Sequence, residues 1–151
     1  MMSNSLKSLL TNVTTIAIIG DSSCSISQIT SDSRAVSEGT LFAAVKGTQV
    51  DGHSFIEKAI NQGAKAILLE HLPQNPIEGV TYIQVESVPA ELGKVAAHFY
   101  DNAQDELIIV GCTGTNGKTT VTTLLHDLFQ HLGYKCGLLS TVEYRIGSEI
   151  F

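Results

Sequence analysis

Apolar positions in the first hundred residues fall mostly in short, unbroken runs. "TTIAIIG" (14–20), "TLFAAVKG" (40–47), "AKAILLE" (64–70) and "VTYIQVE" (80–86) are rich in β-branched and aliphatic residues, and each reads as a strand, the last two as buried ones. "SISQITSDSR" (25–34) is a further extended piece that ends in polar residues. Helical spacing appears between these runs. Phe55, Ile56, Ala59 and Ile60 share one face of a segment that stops at Gly63, and Leu92, Val95, Ala96 and Phe99 share one face of another, which Ser87 and Pro89 suit as its start. Residues 5–10 read as a short helix, and "HLPQNPIEG" (71–79), with two of the three prolines, reads as a loop.

After the polar break "DNAQDE" (101–106) the pattern restarts. It predicts a strand at "LIIVGC" (107–112), a Gly/Thr-rich loop, a helix from Lys118 to Leu132, a stop at Gly133, a strand at "KCGLLST" (135–141) and a hairpin at "EYRIGSEIF" (143–151) turning at Gly147-Ser148. A strand, loop, helix and strand in that order open a parallel α/β sheet. The expected organisation is one α/β domain over 1–103 and the beginning of a second over 104–151. One βαβ unit is too little to close a sheet with helices on both faces, so the chain is expected to be the N-terminal fragment of a longer protein.

Composition narrows the function. With 43% hydrophobic and 16% charged residues in 151, the chain can bury a core. Fifteen acidic against nine basic residues give a net charge of −6, which argues against nucleic acid as the main partner. Cys24, Cys112 and Cys136 are odd in number and widely spaced, so reduced thiols in a cytoplasmic protein are expected, with neither a disulfide framework nor a zinc site. No run approaches the ~20 apolar residues of a membrane span, and no export signal is readable.

The chemistry concentrates in "TGTNGKTT" (113–120). Glycines allow backbone N–H groups to turn onto phosphate oxygens, and the start of the following helix adds partial positive charge. Lys118 can reach the β/γ phosphates, and the Thr119 hydroxyl can ligate Mg²⁺. The longer phosphate-loop pattern GxxxxGK[ST] would need glycine where Cys112 stands, so a purely structural strand-to-helix turn is the competing reading. Two further polar stretches, "TSDSR" (30–34) and "KGTQVDGH" (46–53), could offer donors and acceptors to a base and ribose. On residue types alone, Asp32, Ser33 and Asp51 could equally just cap turns and helices.

"GCTGTNGKTTVTTLL" (111–125) resembles the ATP-binding loop of the Mur ligases, the amide-bond-forming enzymes of peptidoglycan precursor synthesis, whose loop has this shorter form. Asn116 before the second glycine is similar to the branch that builds the tripeptide. Independently, Thr30 to Glu70 resembles the uridine-nucleotide-binding domain that begins two members of the family, through its Asp-Ser-Arg, Gly-x-Leu-Phe and Asp-Gly-His elements. "GLLSTVEYRIG" (137–147) is similar to the tripeptide branch as well.

The resemblance implies a small N-terminal α/β uridine-nucleotide-binding domain followed by the start of a P-loop-type parallel α/β ATP-binding domain. It implies an ATP-dependent carbon-nitrogen ligase that adds a diamino acid, meso-diaminopimelate or L-lysine, to UDP-N-acetylmuramoyl-L-alanyl-D-glutamate through an acyl phosphate. Carried over residue by residue, ATP contacts fall at Gly114, Thr115, Asn116, Gly117, Lys118, Thr119 and Thr120, with Lys118 catalytic and Thr119 a Mg²⁺ ligand. Uridine-nucleotide contacts fall at Ser31, Ser33, Thr48, Gln49 and Val50. A monomer is expected, inactive without the remaining catalytic parts. His53 is read as a turn or core residue, and His71, His98, His126 and His131 as surface or interface residues. The rivals are a sister ligase of the same family, a non-catalytic nucleotide sensor and a plain α/β domain.

Overall fold

The computed structural model describes residues 4–47 and 50–151. They form two compact units, Met1–Leu107 and Ile108–Phe151. In the first, β1 (Asn4–Ser5), α1 (Leu6–Leu9), β2 (Thr15–Ile19), β3 (Ser25–Ile26), β4 (Gln28–Thr30), β5 (Thr40–Ala43), α2 (Ile56–Asn61), β6 (Ala64–Leu69), β7 (Thr81–Val85) and α3 (Val88–Phe99) follow in order. The main sheet runs β2-β7-β6-β5-β4; β4 to β7 are mutually parallel and β2 is antiparallel to β7. All four residues of β5 and five of the six in β6 are buried, which is why these strands read as unbroken apolar runs.

Alternation then sorts the strands into two cores. Leu41, Ala43, Ala66, Leu68, Ile83 and Val85 face Leu6 and Leu9 of α1 and Val88 and Val95 of α3. Phe42, Ala44, Ile67, Leu69 and Tyr82 face Ala59 of α2, with Phe55, Ile56 and Ile60 packed alongside. Each fully buried Leu or Ile contributes about 1.5–3 kcal/mol relative to exposure. The unit is thus a helix–sheet–helix sandwich.

Local bonds fix the ends of these elements. Ser5 caps α1 through Ser8 N–H. Ser87 takes the N-cap position of α3, as its sequence predicts, but makes no side-chain cap; Glu70 Oε1, at the end of β6, accepts from Val88 N–H at 3.1 Å instead. Asn102, in the left-handed conformation, donates its N–H to Ala97 C=O at 2.7 Å and closes the far end. Glu91 Oε2 accepts from Thr14 N–H at 3.0 Å while Lys94 Nζ donates to Oε1 at 2.9 Å, and the Lys94 contact followed by that backbone bond holds the Glu91 carboxyl below the usual range.

In the second unit α4 (Lys118–His131) adjoins a three-stranded antiparallel sheet, β10-β9-β8, of β8 (Gly137–Leu139), β9 (Tyr144–Ile146) and β10 (Glu149–Ile150). The hairpin turns at Gly147-Ser148 as its sequence predicts, with Ile146 opposite Glu149. The strand expected at 107–112 differs: these residues form no ladder, and Ile108, Ile109 and Val110 are exposed. A strand exists only by pairing, and β8, its expected parallel neighbour, pairs antiparallel with β9. His126, expected at the surface or an interface, is buried at 6% exposure within the second unit.

Gly93 lies inside α3 with nothing within 4 Å of where a Cβ would stand. Gly93→Ala is therefore expected to stabilise the chain by about 0.5–1 kcal/mol through helix propensity, read as a rise in the urea midpoint at unchanged slope; a loss of stability would contradict the open surroundings.

Candidate functional site

Because β4 to β7 are parallel, the loops after Thr30, Ala43, Leu69 and Val85 leave from one edge of the sheet. In such sheets ligands bind outside the carboxyl ends of the strands. Ser31, Ser33, Val50, Asp51, His53, Glu70 and His71 all belong to these loops or to the 3₁₀ turn Gly52–Phe55. Thr48 and Gln49 lie outside the described residues.

The 31–39 segment is held by short-range bonds. Asp32 Oδ1 accepts from Arg34 N–H at 2.9 Å, and both its oxygens take the Arg34 guanidinium, through Nε at 2.9 and 3.2 Å and Nη2 at 2.8 Å. The Arg34 side-chain bonds, then its backbone N–H, bring the Asp32 carboxyl down to about 2. Gln28 reaches across, donating to Ala35 C=O at 3.2 Å and accepting from Ser37 Oγ at 2.9 Å. Ser31 is exposed and Ser33 is buried at 8% exposure.

The segment after β5 has a narrow neck. Lys46 and Asp51 form an antiparallel bridge, Gly47 N–H donates to Val50 C=O at 3.0 Å, and Gly52 N–H donates to Val45 C=O at 2.9 Å. Val50 is 53% exposed. Asp51 caps the 3₁₀ turn through His53 N–H at 2.9 Å, and it also contacts His53 Nδ1 at 2.7 Å. These two bonds, the backbone one foremost, hold the Asp51 carboxyl below the usual range. The capping role that residue type allowed to Asp32 and Asp51 is real; the ring of His53 and the carboxylate of Glu70 add ties that sequence spacing did not reveal.

In the second unit Gly114 has φ 151° and Gly117 has φ 77°, values that favour glycine. Gly117 is the N-cap of α4 and has no side chain with which to cap it, so the first N–H groups of a 14-residue helix face outward from a glycine turn. Lys118 Nζ donates to Gly114 C=O at 2.6 Å, so the ammonium lies over the loop. Thr122 Oγ1 returns to the Lys118 and Thr119 carbonyls at 3.0 Å, while Thr119 is half-buried and Thr115, Asn116 and Thr120 are exposed. The donor set, an ammonium, helix-terminal N–H groups and a hydroxyl, fits a polyphosphate with a divalent cation.

Residues 25–100 match the model of the Mur ligase family, catalytic domain, and residues 112–150 match the Mur ligase middle domain. The chain belongs to the Mur ligase family. Its relatives include the UDP-N-acetylmuramoyl-L-alanyl-D-glutamate--2,6-diaminopimelate ligase of Phocaeicola vulgatus, 50% identical over 95% of this chain and 30% of that protein. The protein of the same name from Bacteroides thetaiotaomicron is 48% identical over 91% of this chain and 28% of its own length. This Mur ligase chain thus spans about 30% of the length of the curated relatives it matches. A solved 2,6-diaminopimelate ligase of this type shares the fold at TM-score 0.67 and 22% identity, over 99% of this chain and 30% of that one. The MurF ligase from Thermotoga maritima in complex with ADP matches 69% of this chain and 23% of its own, at 34% identity and TM-score 0.51.

A Cβ on Gly52 would stand 2.5 Å from the Val45 carbonyl oxygen and 2.7 Å from the Val45 nitrogen, both backbone atoms. Gly52→Ala should force the neck apart and cost about 1–3 kcal/mol, the penalty of overpacking, measured by urea denaturation; a neutral result would mean that the neck is looser than described.

Proposed function

We propose that this Mur ligase chain supplies the uridine-nucleotide-binding domain and the phosphate loop of a cytoplasmic, ATP-dependent ligase that joins 2,6-diaminopimelate to UDP-N-acetylmuramoyl-L-alanyl-D-glutamate. The observation that carries the reading is the glycine-capped start of α4 with Lys118 beside it, a phosphate-binding geometry in the family's own sequence. The names of relatives at 37–50% identity support the tripeptide-forming branch and 2,6-diaminopimelate over L-lysine.

Joining a carboxylate to an amine in water is uphill, so the carboxylate must first be activated. The γ-phosphoryl group of ATP passes to the D-glutamyl carboxylate; the amine of the diamino acid then attacks the acyl carbon, and phosphate leaves. Catalysis of such a transfer rests on positioning and charge. Lys118 exchanges its bond to Gly114 C=O for the nucleotide phosphates, and backbone N–H groups from Gly114 through Asn116 to Gly117 and Thr120 hold their oxygens. Thr119 would hold Mg²⁺, which supplies charge neutralisation. At the sheet edge of the other unit, Ser31, Ser33, Thr48, Gln49 and Val50 hold the uridine end, the Ser31 contact being to backbone. The boundary between the two domains is assigned to the polar break, from the expected 103/104 position to the division of the compact units between Leu107 and Ile108.

Titration of the 151-residue chain with UDP should shift amides of Ser31, Ser33 and Val50; shifts confined to residues after Gln104 would refute the uridine assignment. In the whole ligase Lys118→Ala should lower kcat by more than ~10²-fold with little change in affinity for the UDP-sugar substrate, because the lost charge acts mainly in the transition state. Thr119→Ala should fall similarly but recover in part at raised Mg²⁺. Near-normal kcat in Lys118→Ala would restore the structural-turn reading.

A further inference from the structure

His53 stands between two loops of the sheet edge. Its side chain is 17% exposed, and its two nitrogens have different partners on different elements. Nδ1 lies 2.7 Å from Asp51 Oδ1, at the neck of the segment that leaves β5. Nε2 lies 3.1 Å from the backbone nitrogen of Glu70, the first residue after β6. A backbone N–H can only donate, so Nε2 must accept, and the ring proton sits on Nδ1 facing the carboxylate. Glu70 is itself fixed twice: its carboxylate caps α3 at Val88 N–H, 3.1 Å, and its carbonyl accepts from Gln84 Nε2 of β7, 3.0 Å. A continuous path of hydrogen bonds therefore runs from the 46–51 neck through one imidazole to β6, β7 and the start of α3.

We infer that His53 is a positioning residue for uridine-nucleotide binding: by accepting the Glu70 N–H it ties Asp51 to the end of β6 and holds the adjoining Val50 ready for the nucleotide. The inference rests on the uridine-site reading above. The two faces of the imidazole can be removed separately. The amide oxygen of glutamine overlies Nε2 and keeps the acceptor for Glu70 N–H. The amide nitrogen of asparagine overlies Nδ1 and keeps only the Asp51 contact. Leucine fills the space and keeps neither.

The test uses the 151-residue chain with UDP as probe, followed by calorimetry and by amide exchange at Glu70. His53→Leu should weaken UDP binding about 10-fold, because the bound arrangement must then be ordered at the expense of binding. His53→Asn should match it, and His53→Gln should stay within about threefold of the parent chain, its Glu70 amide still protected. Rescue by glutamine but not asparagine is an outcome that mere loss of packing does not produce. Equal UDP affinity in all four proteins overturns the inference and leaves the uridine site standing. Rescue by asparagine alone overturns the Glu70 link. Absence of UDP binding in the parent chain overturns the uridine site and the inference together. If His53→Leu does not fold, the glutamine–asparagine comparison decides.

Discussion

Strands β5 and β6 are covered on both faces, and that coverage dictates where chemistry can sit in the first unit. A residue in the middle of either strand points into one apolar core or the other, where an unpaired polar group costs several times the worth of an ordinary hydrogen bond. Polar side chains are therefore driven to the strand ends, and parallel pairing gathers the carboxyl ends on one edge. There Asp32 and Asp51 spend their side-chain bonds within their own loops, while His53 and Glu70 tie neighbouring loops together. The same bonds that terminate the strands shape the surface that a ligand would meet.

The elements set by burial were legible in the sequence for the same reason. Runs such as 64–70 are apolar because both faces are covered, and a run of that kind needs no partner to be recognised. Turns were legible where a residue type is obligatory, as at Gly63 and Gly147-Ser148. What escaped depends on groups far apart in the chain. Nothing near Ser87 announces that Glu70, 17 positions earlier, caps α3, and nothing in "DGH" announces that the imidazole reaches that residue's N–H. The run at 107–112 failed in the opposite sense: its apolar β-branched residues favour a strand, but propensity supplies no partner, and in the second unit the ladders all lie among β8, β9 and β10. The glycine turn before α4 was legible because Gly114 and Gly117 take the positive φ that glycine favours, and its proposed phosphate role came from the chemistry of its residue types. The proposed uridine contacts came mainly from family likeness.

The glycines separate two demands that a sequence motif writes with one letter. At Gly117 the demand is conformational: φ is 77°, no atom lies within 4 Å of an added Cβ, and the cost of a side chain there is backbone strain. At Gly52 the demand is spatial, since an added Cβ would meet the Val45 backbone at 2.5 Å. The first kind leaves open room above a helix terminus, as suits a turn proposed to admit a phosphate. The second brings two chain segments so close that their backbone groups bond directly, as suits a neck that must keep its shape. A loop built on the first kind is complete only when its N–H groups find acceptors, and here the Lys118 ammonium, itself a donor, takes up the Gly114 carbonyl and leaves those N–H groups uncapped. The segment at Gly52 is already closed by protein bonds, so its stability is decided within the fold, while the turn at Gly114–Gly117, on the proposed reading, would be completed by what it holds.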